Sequence, residues 1–139
     1  VQNEKYVSCL FGELLLKRYP AAPVAIVEAP KTAVISSLYF GLPEDSPRNF
    51  VWLAAFNVSS LTPDKCQALR GRDVVLFPDL KAFDFWRRKA EILNREIPGA
   101  NFQVSKFLEN EASPEQKAAG LDLADFLLPL DWRQFRKTE

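Results

Sequence analysis

The chain has 139 residues, of which 47% are hydrophobic, and its 18 Lys+Arg balance its 18 Asp+Glu to a formal net charge of zero. That balance argues against a domain that grips nucleic acid by bulk positive charge alone. The absence of histidine removes Ser-His-Asp and Cys-His catalysis and every His-containing zinc site.

Two cysteines, Cys9 and Cys66, with no CxxC spacing, cannot form a disulfide scaffold of the small secreted kind. Both read as inert thiols in a reducing compartment. No apolar run approaches the ~18 residues of a membrane span, and the N-terminus is not a signal sequence. The expectation is a cytoplasmic protein with no membrane partner. The length gives a single domain over 1–139, with an N-terminal helix within 1–20 and a core over 24–130. The valine start and the lack of any methionine read as a segment of a larger protein, so other domains of that parent are expected partners.

Residues 4–19 place Val7, Leu10, Phe11, Leu14 and Leu15 on one stripe and predict a helix, which Gly12 weakens without breaking. Pro20 and Pro23 end it. VAIV (24–27) is an apolar, β-branched run followed at once by Glu28, as in a strand buried on both faces. Pro30 suits a first helical turn, and KTAVISSLYF continues the helix. Residues 41–49, rich in Pro, Gly and Asp, read as a loop. FVWLAA (50–55) is the second strand, and Thr62-Pro63 opens a short helix that Gly71 closes. DVVLF (73–77) is the third strand, ended by Pro78-Asp79. Over 82–96, Phe83, Trp86, Ala90 and Leu93 recur at helical spacing. The opposite face carries Arg87, Arg88 and other charges, and reads as solvated. NFQVSKFL (101–108) is a fourth, more polar strand near an edge. Ser113 to Gln116 form a capping box, Gly120 is a stop, and a last short helix follows Asp122.

Strands that alternate with helices predict an α/β fold: a Rossmann-like, mostly parallel four-stranded sheet with helices on both faces. Right-handed crossovers put the carboxyl ends of the strands along one edge, where open α/β sheets bind ligands. Glu28 and Asp79 follow strands one and three, and the connection holding Asp122 and Asp125 can reach the same edge. Gathered carboxylates raise one another's pKa, and a hard divalent cation such as Mg²⁺ removes that penalty. Asp79 reads equally as a turn or cap residue, and Asp122 with Asp125 as an N-cap with an acidic third position. Glu28 has Lys31 as an alternative ion-pair partner. Lys31, in the first turn after strand one, is a candidate phosphate contact or a solvated lysine. Trp52 and Trp86 suit core packing better than base stacking; Trp132 stays open to either role.

VAIVEAPKTAVI (24–35), DVVLFPDLKAFDFWRRKA (73–90) and GLDLADFLL (120–128) resemble the three acidic motifs of the Toprim domain of primases, topoisomerases and related nucleases. The closer resemblance is to a branch found in primase-related proteins of mobile elements in Bacteroides-type bacteria. It implies that Glu28 is a general acid/base and that Asp79, with Asp122 or Asp125, holds Mg²⁺. It also implies magnesium-dependent nucleotidyl or phosphodiester chemistry on DNA or nucleotide. Three positions depart from the family. Lys81 stands where a second aspartate is usual after the third strand. Ala29 follows the glutamate in place of glycine, and Ala55-Phe56-Asn57 replaces glycines after strand two. These departures put two-metal catalysis in doubt and leave one-metal or metal-free phosphate binding, in which Lys81 takes over the charge of a missing ion. A degenerate module that binds nucleic acid or protein is the alternative. An unrelated doubly wound domain is a third reading, without the glycine fingerprints of dinucleotide or P-loop binding.

Overall fold

The computed structural model describes residues 9–136. Four four-residue strands, β1 (Val24–Val27), β2 (Val51–Ala54), β3 (Asp73–Leu76) and β4 (Asn101–Val104), form one sheet in the order β2-β1-β3-β4. Every pairing is parallel, with Val24 opposite both Val51 and Val74, and Asp73 opposite Asn101. The chain moves one way from β1 to β2 and the other way to β3 and β4. The switch point therefore lies between β1 and β3, where such sheets open a crevice at their carboxyl ends.

Alternation along the strands divides the core in two. Val24, Ile26, Val51, Leu53, Val74 and Leu76 pack on one face against Leu69 and against Trp86, Ala90 and Leu93 of the long helix. Ala25, Val27, Trp52 and Ala54 point to the other face, against Ala33, Leu123 and Leu127. Both faces carry helices, as expected for the central β1 and for β2, whose residues are apolar in every position.

In chain order the helices are α1 (Leu15–Arg18), α2 (Pro30–Phe40), α3 (Pro63–Cys66), α4 (Phe83–Glu96), α5 (Phe107–Glu111), α6 (Pro114–Ala119) and α7 (Leu123–Leu127). Among them none is long and apolar enough to cross a membrane. Thr62 caps α3 and Ser113 with Gln116 closes a full capping box on α6. Gly120 ends α6 in the left-handed conformation, φ 70°.

Two expected elements differ. The helix expected over 4–19 begins only at Leu15, and its first residues, 4–8, lie outside those described. Cys9 is exposed and outside any helix. Phe11 instead pairs antiparallel with Ala54: its N–H donates to the Ala54 carbonyl at 2.9 Å, and the Ala54 N–H donates back at 3.2 Å. This covers part of the outer edge of β2, where unpaired backbone groups would otherwise stand. Gly12 makes the approach possible, since with φ +84° its position would set a Cβ 3.1 Å from Leu53 Cδ2 and 3.2 Å from the Trp52 carbonyl oxygen. The strand expected over 101–108 stops at Val104. The Ser105 hydroxyl accepts the Phe107 N–H at 3.1 Å, and the chain turns into α5.

Candidate functional site at the carboxyl edge of the sheet

Three connections meet above the switch point. β1 runs directly into Glu28 and then α2, whose first turn begins at Pro30 and has no side-chain cap. β3 continues through Phe77 and Pro78 to Asp79. The junction of α6 and α7 is drawn in by a backbone bond, the Leu80 N–H donating to the Leu121 carbonyl at 2.9 Å. That bond joins the neighbours of Asp79 and Asp122. Thr32, buried in the first turn of α2, donates its hydroxyl to Asp122 Oδ2 at 3.3 Å and ties the third connection to the first.

Four acids predicted from the sequence are thereby brought together: Glu28, Asp79, Asp122 and Asp125. The Asp79 carboxyl is pushed up to about 7, first by burial, then by the negative charges of Glu28 and Asp122, a hydrogen bond with Glu28, and the charge of Asp125. Near neutral pH Asp79 therefore carries its proton for part of the time. Asp79 does not cap α4: the residue at that helix start is Ala82, without a side-chain cap bond. Glu28 and Lys31 form no ion pair among the described residues.

Asp122 and Asp125 have a structural role as well. The Asp122 Oδ1 accepts the Asp125 N–H at 2.8 Å, and the Asp122 N–H donates to Asp125 Oδ2 at 3.3 Å. This reciprocal pair is the capping box that starts α7.

The two lysines flank the acids. Lys31 is exposed on the first turn of α2. Lys81 is exposed, with a left-handed φ of 80°, and its side chain passes over Gly120. It lines a hollow of about 420 Å³ shared with Phe83, Asp84, Lys106 and Glu109. Lys106 was not singled out from the sequence, because only the unforeseen turn after β4 carries it there. Phe56, in the loop after β2, also takes a left-handed conformation, φ 70°, and is exposed. The backbone has the shape glycine favours, but a ring occupies the position.

The donor set fits one hard cation more closely than two. Glu28 and Asp79 offer two carboxylates at one point, which is what Mg²⁺ takes alongside water and phosphate oxygens. Burial is the first cause of the raised Asp79 carboxyl, and the repulsion from Glu28 and Asp122 that adds to it is what a cation at this point would relieve. Among the described residues no three acidic or thiol side chains are arranged as ligands of a single ion. Asp122 and Asp125 each direct an oxygen to the α7 cap.

The two thiols lie apart from this edge in character. Cys66 is fully buried, and burial pushes its thiol up to about 12, which leaves it protonated and unreactive. Trp52 and Trp86 are core residues, 3% and 0% exposed, whereas Trp132 is half-exposed beneath the guanidinium groups of Arg133 and Arg136.

No curated protein matches the chain, and no solved structure matches it. One family does match, over residues 1–80, a span that holds β1 through β3 with Glu28 and Asp79 and stops short of Asp122 and Asp125. The chain belongs to this family, described as a domain of unknown function (DUF6371).

Proposed function

We propose that the carboxyl edge is a Toprim-like centre for magnesium-dependent nucleotidyl or phosphodiester chemistry on DNA or nucleotide. The parent would be a primase-like or mobile-element DNA-processing protein. The observation that carries this reading is the crowding of Asp79 by Glu28, Asp122 and Asp125 at the switch point of a parallel sheet. The order of the three acidic motifs along the chain supports it independently.

Glu28 acts as the acid/base. It takes the proton of an attacking hydroxyl, because Asp79 must stay deprotonated to hold a metal. Asp79 is the principal metal ligand, and Asp122 and Asp125 add negative charge from the α7 cap. Bound magnesium supplies neutralisation of the phosphate oxygens. Lys31 and Lys81, exposed on either side, supply positive charge for the flanking phosphates.

A second reading has its own support. Lys81 in place of an acid and Phe56 on a glycine-like backbone favour a module that binds nucleic acid or a protein without turning it over. Assays of purified protein with Mg²⁺ or Mn²⁺ on single-stranded DNA and nucleoside triphosphates separate the two. The catalytic reading expects metal-dependent synthesis or cleavage that falls by about two orders of magnitude in Glu28→Gln. Absence of turnover, with DNA binding that survives Glu28→Gln combined with Asp79→Asn, selects the binding module and overturns the catalytic reading.

A further inference from the structure

A second feature lies on the sheet face that carries α2. There α2 packs over β1 and β2, while Asn101 and Gln103 of β4, facing the same side, are exposed. Between these two regions is a hollow of about 290 Å³ walled by Phe40, Phe50, Trp52, Phe77, Phe107 and Phe135. Its size is at the low end for small-molecule pockets and suits one ring system rather than an extended chain.

The walls are aromatic rings at several attitudes. Phe40 and Trp52 stack with centroids 5.6 Å apart and planes 16° apart. Phe77 tilts 44° from Trp52 at 5.0 Å, and Phe107 meets Phe40 edge-on at 81°. Such a wall presents both π faces and ring edges, the two surfaces a further planar ring can use.

One polar observation narrows the occupant. Arg48 lines the same hollow and is exposed, and its guanidinium forms no ion pair among the described residues. An apolar tail leaves that charge without a partner. A planar ring with an attached anion suits both the aromatic walls and the guanidinium.

We propose that this hollow is a binding site for the base of a purine nucleotide, with the ring among Phe40, Trp52 and Phe107 and the phosphate toward Arg48. The choice of a nucleobase among planar rings rests on the phosphoryl-chemistry reading of the acidic edge. Phe77 connects the two regions, since it lies two residues before Asp79 on the same strand end.

The same base could come from a free nucleotide or from a single strand. The test is a metal-free titration of the purified protein with adenosine monophosphate, adenosine, ribose 5-phosphate and a short oligodeoxyadenylate, followed by calorimetry and tryptophan fluorescence. Adenosine monophosphate is expected to bind one to one, with a Kd below about 1 mM, and ribose 5-phosphate at least about tenfold more weakly. Arg48→Ala should remove about a tenfold preference for adenosine monophosphate over adenosine. Phe107→Leu should weaken both by about tenfold with an unchanged circular dichroism spectrum. Trp52→Phe should abolish the fluorescence change. Oligonucleotide binding tighter than the mononucleotide, with the same losses in the variants, assigns a strand; equal or weaker binding assigns a free nucleotide. Either supports the site. Absence of adenosine monophosphate binding, equal binding of ribose 5-phosphate, or adenosine binding unchanged in Phe107→Leu overturns it. Because no metal is present and no turnover is read, failure here leaves the acidic edge unaffected, and inert acids leave this site standing.

Discussion

Glu28 and Asp79 follow the carboxyl ends of adjacent parallel strands, and the charge of Glu28 joins burial in pushing the Asp79 carboxyl up to about 7. Two acids in that relation cannot both ionise without strain, and here Asp122 and Asp125 add to the repulsion. At neutral pH a fold gains no stability from such an arrangement, and strongly shifted acids of this kind cluster at binding and catalytic sites.

The pH dependence of stability follows from the sign of the Asp79 shift. Its carboxyl is raised from 3.8 to about 7 in the fold, so the native state holds a proton that the unfolded chain releases. Stability from this group is present below about pH 4 and is lost progressively up to about pH 7. Three units correspond to about 4 kcal/mol, which solvent at this half-buried position reduces to about 2 kcal/mol. Asp79→Asn should therefore raise stability by about 1–2 kcal/mol at pH 8 and leave it nearly unchanged at pH 4. Urea denaturation at the two pH values checks this; a variant less stable than the parent at pH 8 contradicts it.

Asp122 combines a cap and a charge, and two substitutions separate them. Asp122→Ala removes the acceptor of the Asp125 N–H and leaves the buried Thr32 hydroxyl without its partner. It should cost about 2 kcal/mol. Asp122→Asn keeps a capping oxygen and should cost less than about 0.5 kcal/mol. Both should move the Asp79 carboxyl down, by removing a negative neighbour. Carbon-detected NMR of the Asp79 carboxyl together with thermal melts reads both effects.

Arg72 is the fastening of the segment before β1. Its guanidinium donates to the carbonyls of Leu16, Tyr19 and Ala22 at 2.6, 2.7 and 3.0 Å. Burial pushes this guanidinium below its usual range. Arg72→Ala leaves three carbonyls without that donor and should cost about 2–3 kcal/mol. Arg72→Lys should recover only part of it, because an ammonium cannot reproduce the planar fork. Equilibrium unfolding of the two variants is the check.

Much of the fold was legible because the strands are short, mostly apolar and closed by turn residues. VAIV before Glu28 and DVVLF before Pro78-Asp79 gave both strand positions and the shared edge, once parallel order was inferred from alternation with helices. What was illegible depended on contacts distant in sequence. The stripe through Leu10 and Leu14 has helical spacing, yet Phe11 pairs with Ala54, and only the edge of β2 makes that arrangement favourable. Phe107 and Leu108 read as strand residues until Ser105 turns the chain. The approach of Asp122 to Asp79 runs through the Leu80–Leu121 bond, which no local pattern announces. The aromatic hollow collects rings from positions 40 to 135, and its convergence is a property of the packing alone.

The central claim is that the acidic edge holds one divalent cation. Calorimetric titration of the protein with Mn²⁺ at pH 8 tests it most directly, beside Glu28→Gln and Asp79→Asn. The account predicts one ion per chain, with a Kd at or below about 1 mM, weakened near pH 6 as Asp79 takes up its proton and lost in both variants. No uptake at pH 8 up to about 10 mM, or uptake that both variants retain, would contradict it.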